Sequence, residues 1–179
     1  MCIRDSYEES GLATDAEMIY QAAVDLNTAD PNGYLQLAGF YNRTGDFEST
    51  IDQLQQRARV EPDNPEAYYT ISTFYWEKAF RDFRITQDQK AEYVMAGLDA
   101  ADQAIGLNDR YVDALVYKNI LLRMQAGMLV CEDTDDTACI SEQEGLIAEA
   151  DDLRDRAQGI QDEARGAALA AAAAEAEGN

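Results

Sequence analysis

The residues able to do chemistry are few in this chain of 179 amino acids. Cys131 and Cys139 stand seven residues apart in an acidic stretch, "CEDTDDTAC". In an oxidising compartment they could close a disulfide, and chain entropy gives so short a loop roughly 2.5 kcal/mol. Two unpaired thiols are the other reading. Zinc or a redox motif is not indicated, because C-x7-C is not a spacing used for either and the chain has no histidine to complete a site. Glu132, Asp133, Asp135 and Asp136 offer calcium-type oxygens. An EF-hand loop needs glycine at its sixth place, and counting from Asp133 that place holds Ala138. A solvated acidic loop is the simpler reading. The absence of histidine also removes the commonest general base and the switch that works near neutral pH. With no nucleophile motif either, neither an enzyme nor a bound cofactor or metal is expected.

A second constellation is basic. Lys78, Arg81, Arg84 and Lys90 gather four of the fourteen basic side chains beside Phe80 and Phe83, in a chain whose formal net charge is −21. They could hold an acidic partner segment, or they could pair with neighbouring carboxylates, each exposed pair contributing about 0–1 kcal/mol. The overall charge repels nucleic-acid phosphates and anionic lipid, so neither is a default partner. No apolar run approaches the ~20 residues that span a bilayer. The surplus acid keeps a helical surface soluble.

The elements that position these side chains repeat. Tyr34, Leu37, Ala38 and Tyr41 recur as Tyr68, Ile71, Ser72 and Tyr75, a shift of 34 residues. The first full unit reads Tyr34-x2-Leu37-Ala38-x2-Tyr41, then Gly45-Asp46-Phe47, Thr50-x3-Leu54 and Pro62. On this pattern the chain resembles tetratricopeptide repeat proteins. Thr50 and Arg57 depart from it, standing where small alanines are usual. The physics of the positions agrees with a helix pair. Gly45 permits a tight turn, Asp46 can cap the second helix, and Asn64-Pro65 starts the next. The following unit is stretched: Tyr68 to its equivalent Leu115 is 47 residues, 13 beyond the period. The excess lies between Ala79 and Ala91. Thr86 with Gln89 fits a capping box, which predicts a helix from about Gln87 and an insert that lengthens both helices at their shared end. Ser141 with Glu144 forms a second such box, predicting that the last helix opens there. Leu146, Ile147, Ala150, Leu153, Ala157 and Ile160 keep helical spacing beyond it.

The expected organisation is therefore all-α, a right-handed superhelix of antiparallel helix pairs. Residues 1–6, "MCIRDS", resemble translated sequencing adaptor and are set outside the fold, which removes Cys2 from the cysteine count and leaves the natural N-terminus unknown. Residues 7–30 read as a truncated repeat, with its first helix cut off near Tyr7. Units follow at 31–64, at 65–110 with lengthened helices, and at 111–165 with the acidic Cys-containing loop. Residues 166–179 form an alanine-rich tail, expected to prolong the last helix and fray. The run from Tyr68 through Arg123 is similar to a group of bacterial tetratricopeptide proteins, many of them lipoproteins of unknown role. That resemblance covers roughly residues 30–165 and implies a periplasmic or cell-envelope setting.

In this architecture the first helix of each pair lines the concave surface. The repeat register puts Asn42 and Arg43 there from one unit, Tyr69, Thr73 and Trp76 from the next, and Tyr117, Ile120 and Arg123 from the last. Aromatic and arginine side chains in a concavity are the stuff of binding hot spots. The competing reading is that Trp76 and Tyr69 only pack against neighbouring helices. Relatives that grip acidic C-terminal tails use a Lys/Asn clamp. Leu35, Gly39 and Thr70 occupy the corresponding places, so that activity does not carry over. The resemblance implies a non-catalytic scaffold that binds a protein or peptide partner. The alternative is a spacer within a larger envelope protein. A groove leaves Trp76, Tyr69 and Tyr117 partly exposed; a spacer buries them.

Overall fold

A computed structural model of the chain describes residues 12–131 and 136–177. The adaptor-like Met1–Ser6, Tyr7, and Glu132, Asp133 and Asp135 of the acidic loop lie outside the described residues. Among those described, every element is a helix: α1 (Leu12–Leu26), α2 (Pro31–Thr44), α3 (Phe47–Val60), α4 (Pro65–Arg81), α5 (Gln87–Leu107), α6 (Val112–Met128) and α7 (Thr137–Glu177). They form two compact units, divided after Ala67.

In the first unit, local chemistry sets each boundary. Asp30 caps α2, its carboxylate accepting from the Asn32 amide at 2.9 Å, and Pro31 takes the first helical place. Gly45 ends α2 in the left-handed region at φ +83°, where a side chain would be strained, and its amide donates to the Asn42 carbonyl. Asp46 starts α3 at once, accepting from the Ser49 amide at 3.0 Å and the Ser49 hydroxyl at 2.8 Å. Leu37 and Phe40 bury against Val24 of α1, with Tyr20, Tyr34 and Tyr41 around them. Both side chains that break the small-residue pattern are buried with partners. The Thr50 hydroxyl donates to the Asp46 carbonyl at 2.7 Å. The Arg57 guanidinium pairs with Glu61 and with Glu66.

The two bonds from Ser49, backbone first, hold the Asp46 carboxyl below its ordinary value of 3.8. A carboxylate depressed in the folded state stabilises above its unfolded value, and that contribution is lost as pH falls through the folded one. Asp46→Ala is expected to cost about 1 kcal/mol at neutral pH. The penalty should shrink below pH ~4, measured as denaturant midpoints of variant and parent across the acid range.

In the second unit the helices are longer: α4 has 17 residues and α5 has 21, against 14 each for α2 and α3. The Thr86–Gln89 capping box is present in both directions, at 3.2 and 2.9 Å. Ala79, Val94, Leu98, Leu115, Leu121, Leu122, Ala150, Leu153 and Ala157 make one core. Gly97 of α5 lets α4 and α6 close in, since a Cβ there would meet Leu121 Cδ1 at 3.1 Å and Tyr75 Cβ at 3.3 Å. Antiparallel α6 and α7 are joined by one buried polar bond and by ion pairs at the edge of this core, one of which reaches α5. Asn119 Nδ2 donates to the Ala150 carbonyl at 2.7 Å, and Lys118 reaches Asp102 and Glu149, both at 2.7 Å.

The start of α7 departs from the Ser141 expectation. The helix opens at Thr137, with Asp136 accepting from the Cys139 amide at 3.2 Å, and Ser141 stands exposed inside it. Aspartate caps as well as serine, and the earlier cap brings one more turn under hydrogen bonding. From there α7 runs 41 residues without a break.

Candidate functional site

The side chains expected on the concave surface of the second unit come from α4 and α6, and several are brought together. Tyr69 of α4 meets Tyr117 of α6 edge to face, with ring centroids 5.5 Å apart, and also meets Tyr111 at 5.4 Å. Trp76 meets Tyr117 at 5.3 Å, nearly perpendicular, and stacks on Phe80 at 5.5 Å. Such aromatic pairs are worth about 0.5–1.5 kcal/mol beyond the area they bury. Tyr69, Trp76 and Tyr117 are each half-buried, as is Thr73, whose hydroxyl donates to the Thr70 carbonyl at 2.7 Å. The rings are neither free in solvent nor sealed in the core. The Ser72 hydroxyl and the Trp76 indole nitrogen are buried with no hydrogen-bonding partner among the described residues, and unmet polar atoms of this kind are uncommon.

Why these rings face α6 follows from register. With Tyr68 matched to Leu115, Ala67 matches Ala114 and Ala79 matches Ala126; all four alanines are buried. Tyr69, Thr73 and Trp76 then correspond to Val116, Ile120 and Arg123. On α4 that face receives α6. On α6 the same face is open. Val116, Ile120 and Arg123 there, with Arg154, Gln158 and Arg165 of α7, line a groove of about 480 Å³. Arg123 is anchored at its rim, donating to the Asn119 side chain at 3.0 Å and to Asp151 at 2.6 Å. The Asp151 carboxyl is held below its ordinary value, first by the Arg123 hydrogen bond and further by the Arg154 charge. The repeat register expects Ile120 and Arg123 on the concave surface; here they line the groove between α6 and α7. It missed the α7 wall, because Arg154 and Arg165 lie in a helix where only the apolar spacing was read.

Asn42 and Arg43 are exposed at the C-terminal end of α2, in the first unit.

The basic insert is internally paired. Lys78 reaches Asp82 at 3.0 Å, Arg81 reaches Glu77 at 2.8 Å, and Arg84 reaches Asp82 at 2.9 Å. Bonds from Arg84 and then Lys78 hold the Asp82 carboxyl well below the usual carboxylate range. Lys90, on the first turn of α5, is half-buried. What remains unsatisfied at this end of the hairpin is apolar: Phe80 and Phe83 are 65% and 95% exposed.

Cys131 and Cys139 are joined in the structure, their Cα atoms 5.6 Å apart. The bond ties the chain just beyond α6 to the first turn of α7. Among the described residues, no group of histidine, cysteine or carboxylate side chains is arranged to hold a metal ion, and no helix is long and apolar enough to cross a membrane.

No family model matches the chain, and no curated protein matches its sequence. Solved structures do match in shape. MamA is similar with a TM-score of 0.55 and 17% identity, over 89% of this chain and 69% of that one. A second MamA structure gives 0.49 and 17%, over 93% and 98%. YrrB, described as a TPR protein with an unusual peptide-binding site, gives 0.45 and 16%, over 88% and 82%.

Proposed function

We propose, from the premise that this chain has the tetratricopeptide-repeat fold, that it is a non-catalytic scaffold whose second unit binds a protein segment on α6, in the groove between α6 and α7. The observation that carries this reading is the open groove lined by Val116, Ile120 and Arg123, the register equivalents of Tyr69, Thr73 and Trp76, which α6 covers. A groove set between preformed helices loses little ordering entropy when a segment docks. Arg81 and Arg84 are less suited to anchor a partner, because exposed pairing with Glu77 and Asp82 already occupies them.

Peptides selected from a random library against the whole chain provide the test, with affinities read by polarisation of labelled peptide. Ile120→Asp is expected to weaken the best peptide by roughly thirty-fold, about 2 kcal/mol, and Trp76→Ala, whose ring packs on Tyr117 and does not line the groove, to act less. The double change Arg81→Ala with Arg84→Ala should alter on-rate and salt dependence more than affinity. Thermal midpoints are compared for all variants, because Trp76→Ala also loosens the α4–α6 packing. Peptides that bind the folded Trp76 and Ile120 variants normally but lose the double arginine variant would move the site to the hairpin. A library that yields no peptide would favour the spacer.

A further inference from the structure

The groove on α6 and α7 is a seat without a helix. In this chain the matching face of α4 is filled by α6, so the occupant that fits is helical. The groove wall contributed by α7 runs from Arg154 through Gln158 and Gln161 to Arg165, about three turns or ~17 Å. Beyond Arg165 the same helix continues as residues 166–177, "GAALAAAAAEAE", about 18 Å long. The side chains described in this extension are exposed throughout, with Leu169 at 66%. Seat and extension therefore have the same length. The α7 stripe of the seat (positions 154, 158, 161 and 165) carries on through Ala168, Leu169 and Ala172 at helical spacing.

We propose that the seat is filled by the α7 extension of a second copy, in a twofold dimer. This rests on reading the α6 face as a binding surface and names its occupant. Two α7 helices laid antiparallel, with the axis between Arg165 and Gly166, place each extension along the other copy's seat. Positions n and 331 − n then face one another. Arg165 lies beside Gly166, whose lack of a side chain lets the helices cross closely. Asp162 lies beside Leu169, Gln158 beside Ala173, and Arg156 beside Glu175. The alanine surface is slim enough for a shallow groove. Arg123, Arg154 and Arg165 line the seat, but each is paired with a carboxylate of its own copy, so the acidic charge of the extension adds little and the match of length and shape carries the contact. Both patches lie on each copy, so the contact is isologous and closes at two. Two chains of −21 repel at long range, so association should strengthen as salt screens them.

Sedimentation of the full chain over a concentration series tests this. A monomer–dimer equilibrium is expected, tighter at high salt. Truncation after Arg165 should give a monomer at every concentration with an unchanged thermal midpoint, and Leu169→Glu should weaken the dimer at least ten-fold. In a Cys2→Ser background, Gly166→Cys should crosslink to its own copy on oxidation, while Ala173→Cys, far from the axis, should not. A full chain that stays monomeric, a dimer that survives truncation, or equal crosslinking at both positions overturns the proposal. If the chain is monomeric yet library peptides still dock at Ile120, only this inference falls. If nothing docks there, the binding face itself is wrong.

Discussion

Replacing Leu121 with alanine is expected to lower the unfolding free energy of the second unit by about 3 to 4 kcal/mol. Leu121 is fully buried in the core that α5, α6 and α7 share, and its methyl groups lie against Gly97. Deleting them leaves a void that three helices cannot collapse to fill, so transfer and cavity losses add. In a domain of this size the thermal midpoint should drop by roughly 15 °C. A second substitution makes the claim specific. In the parent chain Gly97→Ala puts a methyl 3.1 and 3.3 Å from the Leu121 methyls, and this overpacking opposes the ~1 kcal/mol that alanine gains over glycine in a helix. In the Leu121→Ala background only the Tyr75 Cβ contact at 3.3 Å remains, and Gly97→Ala should be more favourable than in the parent by up to about 1 kcal/mol. Four denaturant curves measure the cycle. Additive effects would mean that Gly97 and Leu121 do not share a contact.

The next largest effect concerns a buried charge. Arg57 is almost wholly buried, while its partners Glu61 and Glu66 expose 20% and 59% of their side chains. The cost of breaking this group therefore depends on which member goes. Glu61→Ala takes the less exposed carboxylate away from a buried guanidinium and is expected to cost about 3 kcal/mol. Arg57→Met leaves two carboxylates that can turn to water and fills the space with an unbranched apolar chain. That change should cost less than about 1 kcal/mol. Chemical denaturation of both variants at neutral pH decides the matter. Equal losses would show that the three charges act as a surface pair and not as a buried one.

The same residues show what could be read from the sequence. The 34-residue recurrence, Gly45-Asp46 and Thr86-x2-Gln89 signal helix ends through contacts that reach only a few residues along the chain. The helix pairs were legible for that reason. Ser141-x2-Glu144 carries the same signal, yet Asp136 competes for the same helix and wins, because a cap earlier in the chain adds a turn. Arg57 read as a blemish at a small-residue place. Its partners, at positions 61 and 66, belong to the end of α3 and the start of α4, beyond the reach of a helix-A/helix-B pattern. Repeat register matches Ile120 and Arg123 to Thr73 and Trp76 of the unit before, but it says nothing of the wall opposite them. Arg154 and Arg165 repeat nothing in the earlier units, and only the antiparallel pairing of α6 with α7 brings them across from Val116.

Trp76 sits in the second unit, and the chain contains one tryptophan. Its ring is wedged between Phe80 and Tyr117, so its ultraviolet emission will report on the α4–α6 packing alone. Far-ultraviolet circular dichroism sums helices from both units. Followed together through urea, the two signals become separate clocks. If both units melt as one, the curves superimpose. If the first unit gives way earlier, ellipticity falls while emission holds, and the gap between the midpoints measures how far each helix group stands on its own.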